Sequence, residues 1–484
     1  MNAAANYGFT HPAPIRPGVR PGGRHAAQGQ ALLVLIVMLS SATMVLVYGS
    51  TTELMRITKV EQRNRAVLEH ARQVLIGRAV ADANRPGSLP CPDGDDDGSA
   101  DLFVGSACPS YLGRLPWRTL GIGDLRDAQG ERLWYALSPS YRDHPSAPPL
   151  NSDTKGTLSV FSNSDATAIT RQGVAVIFAP GLALPGQTRD AAAQLCATNL
   201  KTVPRAWCAA NYLDPAAMLT NASAAGPYIS ARPGLQYNDA LAVIAVADFM
   251  PLVEQRVALE LRDALLAYRT NSACACYPWA DSGVDGASDI GANRGRIPTR
   301  SALPQNWSAG MLPGYFAANE WARVIHYAVA RKGLENAGDR CTTCTENTLS
   351  VDGAAGYDVL LITAGYAGTG RPSANTADYF EDSANQGSGD LYVTPSARGA
   401  DRDRIFPILG GEANCAAHAQ VLIQNLPCAE PGKAARTACK SADSALGRCT
   451  CSAAANTLIN APCMNELGAP TCHAAITQLR RCTL

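Results

Sequence analysis

Charge is scarce in this sequence. Charged residues fill 17% of its 484 positions, against about 25% in ordinary soluble domains. What charge there is cancels, with 41 Lys+Arg against 41 Asp+Glu. The missing basic surplus excludes a general nucleic-acid binder, and no nucleic-acid partner is expected. No block of like charge appears, which excludes an acidic solvating tail. Enzyme signatures are missing as well. There is no G-x-x-x-x-G-K-[ST], no H-E-x-x-H and no G-x-S-x-G. Gly121-Ile-Gly123 lacks the third glycine of a dinucleotide turn. The seven histidines are scattered. His326, in a Tyr- and Val-rich run, reads as a packing residue, and Trp117 and Trp134 read as core anchors. The chain is not expected to be an enzyme.

What is present begins at the N-terminus. Residues 1–29 are rich in Pro, Gly and Ala and carry Arg16, Arg20 and Arg24 with no acid. No charged side chain occurs from Ala26 to Thr52, and residues 31–48 are almost wholly apolar. Eighteen helical residues span about 27 Å, close to a bilayer core. The pattern predicts a single-pass anchor in the inner membrane. The arginines hold the N-terminus in the cytoplasm and the rest is periplasmic. Beyond Glu53, apolar residues recur at Ile57, Val60, Val67, Ala71, Val74 and Leu75, at helical spacing. One helix from Gln30 to Asp82 would run about 80 Å.

This arrangement resembles the type IV pilin and type II secretion pseudopilin superfamily. The matching residues are Arg24-His25-Ala26-Ala27-Gln28-Gly29 and then Gln30-Ala31-Leu32-Leu33-Val34-Leu35. The resemblance implies cleavage by a prepilin peptidase between Gly29 and Gln30. It also implies packing with other pilin or pseudopilin subunits through the N-terminal helix. The family usually has an aromatic residue or Met after the cut and Glu as the fifth residue; here these are Gln30 and Val34. Lack of that Glu is typical of tip pseudopilins and some minor pilins, and Gly-Gln-Ala-Leu openings also occur on uncleaved anchors. A second stretch, residues 72–142, resembles a pseudopilin-like bacterial group. It has the succession Val74–Arg78, Leu89–Gly98, Gly113–Ile122 and Asp127–Ala136.

The chain repeats itself. Val60-Glu-Gln-Arg63 recurs as Val253-Glu-Gln-Arg256, and Thr157-Leu-Ser-Val160 recurs as Thr348-Leu-Ser-Val351. The intervals are 97 and 95 residues. Trp134-Tyr-Ala136 and His326-Tyr-Ala328 fall at matching places between them. Three landmarks in order at near-equal spacing indicate a tandem duplication. In the second copy Val253, Val257, Leu261, Leu265 and Tyr268 form the apolar stripe of a helix, with Glu254, Arg256, Glu260 and Arg262 outside it. Apolar runs at 173–179, 357–364 and 240–249 read as strands.

The sixteen cysteines divide by module. The first copy holds Cys91, Cys108, Cys196 and Cys208, with Cys91–Cys108 and Cys196–Cys208 as expected disulfides. The second holds Cys274, Cys276, Cys341 and Cys344, which either cross-pair or together hold one zinc through four thiolates. The tail holds Cys415, Cys428, Cys439, Cys449, Cys451, Cys463, Cys472 and Cys482. With few large apolar residues it needs bridges to fold, and short helices are expected there. One local motif offers ligand chemistry. Asp93, Asp95, Asp97, Ser99 and Asp101 stand at positions 1, 3, 5, 7 and 9 of an EF-hand-like loop, with Gly98 at position 6. Position 12 is Val104 rather than Glu. The alternatives are a Ca2+ site and a solvated acidic turn. Asp281, Asp285 and Asp289 occupy the corresponding loop of the second copy.

The expected fold is therefore α+β. A long N-terminal transmembrane and amphipathic helix carries antiparallel-sheet pilin-like modules in tandem, followed by a small disulfide-rich, mainly helical tail. The boundaries are a leader at 1–29, a transmembrane half-helix at 30–52, modules at 53–250 and 251–412, and the tail at 413–484. The expected function is a membrane-anchored pseudopilin or minor-pilin-like subunit of a type IV pilus or type II secretion-type filament, at its tip or initiating complex. The alternative is a disulfide-rich surface adhesin on an uncleaved anchor.

Overall fold

Two strands apolar on both faces set the architecture. The computed structural model describes residues 24–162, 167–187, 189, 209–216, 219–271, 276–283, 285–289, 291–300, 307–330, 335–336, 339–340, 349–365, 380, 382–386, 389–394, 403–409 and 475. The chain divides into two units, Met1–Arg63 and Asn64–Leu484. Helix α1 runs Arg24–Ala81. The first sheet contains β1 (Leu112–Arg114), β2 (Trp134–Leu137), β3 (Leu158–Ser162) and β4 (Ala168–Ala179). A two-residue ribbon, β5 (Pro215–Ala216) and β6 (Leu219–Thr220), precedes its last strands, β7 (Tyr228–Ser230) and β8 (Ala240–Ala245). Helix α2 (Val246–Asn271) follows at once. The second sheet contains β9 (Arg294–Arg296) and β10 (Ile325–Val329), with α3 (Gly314–Ala318) between them. After the ribbon β11 (Glu335–Asn336) and β12 (Asp339–Arg340) come β13 (Leu349–Val351) and β14 (Ala354–Thr363). Helix α4 (Ser383–Gln386), β15 (Leu391–Tyr392) and β16 (Arg404–Leu409) complete the described elements.

The two sheets have one topology. The first is ordered β1-β2-β4-β3-β7 with β8 on β4, and the second β9-β10-β14-β13-β15 with β16 on β14. The long central strands explain the unbroken apolar runs. Side chains alternate between faces of a strand. Val174, Ile177 and Ala179 of β4 enter the large core under the helices, while Val176 and Phe178 enter a second cluster with Leu213 and Tyr228. Likewise Val359 and Leu361 of β14 face the large core, and Leu360 and Ile362 face a cluster with Phe380 and Tyr392. Strands covered on both sides lose the polar alternation of a half-exposed sheet.

Helix α2 joins the copies. Its stripe Val253, Val257, Leu261, Leu265 and Tyr268 is buried in the same cluster as Leu68, Ala71 and Leu75 of α1. The helix also contacts β4 and β8 of one sheet and β14 and β16 of the other. Its polar face is not free. Glu254 is fully buried, with Ser152 Oγ donating at 2.6 Å, Thr363 Oγ1 at 3.3 Å, and Arg404 paired at 2.5 Å. Burial pushes its carboxyl above the usual range, and Arg404 opposes that shift. Arg256 donates to the carbonyl oxygens of Val80 and Asp82. Asn319 Oδ1 accepts from Arg85 and from the Leu150 N–H. Glu254 and Arg256 read as an outer face in the sequence because period alone shows one apolar stripe. In the fold, polar groups of both copies cover the opposite side as well.

Several expectations are corrected. The sheets are mixed rather than antiparallel, since β3 runs parallel to β7 and β13 parallel to β15. Among the described residues no helix is long and apolar enough to cross a membrane. The transmembrane half-helix, the single-pass inner-membrane anchor and the periplasmic placement deduced from it do not stand. The run read as a strand over 240–249 ends at Ala245, and its last four residues open α2. The Cys-rich tail lies outside the described residues apart from Ala475.

Two outcomes follow from this core. Glu254→Ala should lower the unfolding free energy in urea by ~3 kcal/mol, because it strands Arg404 against the core. The pair Glu254→Met, Arg404→Met should recover most of that loss. His326 is 3% exposed and edge-on to Phe380. Burial, with Arg294 nearby, holds its pKa down to about 3 from 6.5. The unfolded chain therefore takes up this proton first. The His326 contribution is complete above pH 6.5 and is lost as pH falls toward 3, at up to ~1.4 kcal/mol per pH unit. Between those limits, urea titrations of His326→Phe should show a stability that falls less with acid than the wild type.

Candidate metal centre

The acidic loop is built by the chain leaving α1. Asp82 Oδ1 accepts the N–H groups of Asn84 and Arg85, which ends the helix. The chain then passes through Pro90-Cys91-Pro92 to Asp93. Cys91 is joined to Cys108 by a disulfide with a Cα–Cα distance of 5.6 Å. Closing a loop of this size contributes about 3 kcal/mol in the chain-entropy account. Asp93 exchanges both backbone hydrogen bonds with Arg114, at 3.0 and 2.6 Å. Gly113 permits this approach, since a Cβ there would lie 2.5 Å from the Asp93 carbonyl oxygen. Gly98 has φ +88°, and a Cβ on it would strike the Trp117 ring.

Within this frame the carboxylates sort into two groups. Asp93, Asp95 and Asp101 each offer one oxygen, and the three lie within 4.8 Å of one another. Two ligands of one calcium at about 2.4 Å are separated by no more than that. Asp93 is 1% exposed. Its Oδ2 accepts the Gly98 N–H at 2.8 Å, and its Oδ1 is buried with no hydrogen-bond partner. Burial, reinforced by the carboxylates of Asp96 and Asp95, pushes its pKa up to about 7. Asp101 Oδ1 accepts the Gly94 N–H at 3.1 Å. The second group faces away. Asp96, at φ +61°, lies 3.0 Å from Arg132 and 3.6 Å from Arg114. Asp97 is exposed, and its Oδ1 accepts the Ser99 N–H at 2.6 Å. So three of the five proposed ligands converge, while Asp97 and Ser99 form a turn.

The second copy repeats the scaffold 188 residues later. Asp281 exchanges backbone hydrogen bonds with Arg296, and a Cβ on Gly295 would lie 2.1 Å from its carbonyl oxygen. Asp281 Oδ2 accepts the Gly286 N–H, Asp285 Oδ1 accepts the Ala287 N–H, and Asp289 Oδ2 accepts the Ser282 N–H. Each bond has its counterpart in the first loop. Tyr135 and Tyr327 both donate to the proline carbonyl three residues before the leading Asp, Pro90 and Pro278. The ligands differ. Gly283 stands where the first loop has Asp95, and Ser282 Oγ donates to Asp289 at 2.5 Å. The shared pattern Pro-x-x-Asp-x-x-x-Asp-Gly-x-x-Asp was available in the sequence as the signal for this equivalence.

The remaining site residues fall as follows. Gly29 and Gln30 lie within α1, and the Gln30 side chain is outside what the structure describes. Cys276 is disulfide-bonded, so it is not a thiolate ligand for zinc. Cys196, Cys208, Cys274, Cys341, Cys344 and the eight tail cysteines lie outside the described residues, and Cys91–Cys108 is the one pair described at both ends. The expected Cys91–Cys108 bridge is present, and among the described cysteines none is free. A cavity of about 450 Å³ lies where the copies meet, lined by Asn84, Arg85, Asp143, His144, Tyr315 and Asn319 among others. Its groups are engaged: Arg85 donates to the carbonyls of Ser140 and Pro148, Asp143 pairs with Arg78, and Tyr315 donates to Glu260.

Gly113→Ala should lower stability by roughly 1–3 kcal/mol, because backbone must shift to admit the methyl group. Gly77→Ala, whose Cβ meets nothing within 4 Å in α1, should be neutral or stabilising by up to ~1 kcal/mol. Thermal melts of the two variants side by side check both. No protein-family profile matches the chain, and no curated protein or solved structure matches it.

Proposed function

We propose that the protein is a non-catalytic assembly subunit of pilin-like type, packed into a filament or its initiating complex through the first part of α1. One observation carries this reading. Residues 32–39 of α1 are all large and apolar, and each is at least 52% exposed. They lie on every side of the helix. A helix that is apolar all round belongs in a buried environment, and each Val, Leu or Ile left in water forgoes about 1.5–3 kcal/mol. Neighbouring helices of other subunits supply that cover. The resemblance at Arg24–Leu35 names the same partners and adds a prepilin peptidase acting between Gly29 and Gln30.

A subunit role also suits the acids of the head. The neighbouring buried residues Asp214 and Asp239 are not arranged as an acid–base pair facing a substrate. Asp239 Oδ2 accepts the Asp214 N–H and the Asn221 amide, and Asp214 Oδ2 accepts the N–H groups of Asn238 and Asp239. They brace loops. The neutral net charge fits a surface that packs against protein neighbours.

The test is assembly in cells. Val37→Asp should reduce recovery of the protein in cross-linked or sedimenting assemblies by about tenfold, the factor carried by ~1.4 kcal/mol, and leave the head's thermal midpoint unchanged. The mature N-terminus should be Gln30 when a prepilin peptidase is present. Unchanged assembly of Val37→Asp together with an intact leader would overturn the proposal.

A further inference from the structure

The geometry points to one calcium-class divalent cation bound by Asp93, Asp95 and Asp101 in the first copy, with the Asp281 loop a relic that keeps the cradle and has lost the ion. Three observations support it. The first loop gathers three carboxylate oxygens within 4.8 Å. Such a cluster repels itself unless positive charge lies among the oxygens. The two arginines at the loop are directed elsewhere. Arg132 pairs with Asp96 and Asp124, and Arg114 lies over the Trp134 and Tyr212 rings with its Nε toward Asp96.

The second observation is Asp93 Oδ1. It is buried, lacks a hydrogen-bond partner, and belongs to a side chain whose other oxygen is fixed by the Gly98 N–H. A buried acceptor left unmade is costly. An ion at the meeting point of the three carboxylates satisfies it and offsets their repulsion at once. All three donors are oxygen, the set a hard cation takes, and a calcium ion completes its six to eight ligands with water and backbone carbonyls.

The third observation is the comparison inside the chain. Both loops share the Asp–Gly backbone bond, the Asx turn, the bond from residue two to residue nine, and the glycine-enforced pairing with the following strand. Only the ligand positions have changed. Gly283 removes one carboxylate, and the Ser282 hydroxyl occupies Asp289. Among the described residues, the three-carboxylate cluster occurs in the first loop alone. Asp281 Oδ1 is likewise buried without a hydrogen-bond partner, so it is the convergence of Asp95 and Asp101 on Asp93 that sets the first loop apart. Asp281, without that convergence, needs no more than a proton to become neutral.

Calorimetric titration of the full chain with CaCl2, after treatment with a chelator, tests this. The expected result is one ion per chain and a thermal midpoint that rises with Ca2+. Asp95→Gly, which gives the first loop the residue of the second, should weaken binding at least tenfold. Because Asp95 is exposed, the melting profile of this variant in chelator should match the wild type, so loss of binding is not loss of fold. Absence of binding, or binding unchanged by Asp95→Gly, overturns the site. Two ions per chain overturn the assignment of the second loop as a relic.

Discussion

Glu254 is a carboxylate without access to water, held by groups from three distant stretches of chain. Ser152 comes from a loop of the first copy, and Thr363 and Arg404 come from neighbouring strands of the second. A charge in that position is tolerated only while all its partners are in place. It therefore ties both copies to α2 at one point. Arg256 extends the constraint to the end of α1 by donating to Val80 and Asp82. The end of α1 in turn sets the start of the Cys91–Cys108 loop and the position of Asp93. A polar knot on the shared helix thus reaches the candidate ion site through one continuous run of backbone.

The duplication makes the knot informative. The same tetrapeptide, Val-Glu-Gln-Arg, occurs on α1 and on α2. On α1 Glu61 is exposed, whereas on α2 its counterpart Glu254 is fully buried. Identical residues take opposite roles because α2 lies between two sheets. The copies cannot be independent beads, since Leu68, Val174, Val257 and Val359 belong to one hydrophobic cluster.

Much of this was legible in the sequence. The β4 and β14 runs announced themselves through unbroken β-branched residues, and the Val253–Tyr268 stripe through its period. The repeat landmarks fall on equivalent strands, with Tyr135 and Tyr327 making the same hydrogen bond. What was not legible has particular causes. Residues 31–48 have the hydropathy of a membrane span, whereas among the described residues no helix is long and apolar enough to cross one. Helical period reported which face of α2 is apolar and was silent on whether the other face is covered. The spacing of the acidic loop gave five ligand candidates. Whether Asp97 serves an ion or the Ser99 N–H depends on a side-chain rotamer that no pattern records.

The two Asp loops show which constraints act on fold and which on ligand. The glycines at 98, 113, 286 and 295 sit where a Cβ would collide with a neighbour, so the backbone of both loops admits little else. Asp93 and Asp281 are retained in both because their Oδ2 atoms fix the Gly98 and Gly286 N–H groups. Asp95 differs in kind. It is exposed, and its replacement in the second copy by Gly283 leaves the equivalent backbone bonds of that loop in place. The scaffold does not need Asp95, yet its carboxylate lies within 4.8 Å of two other acids, an arrangement that a bound cation would favour. The scaffold residues explain why the loop has its shape. Asp95 is the one whose presence the shape alone does not explain.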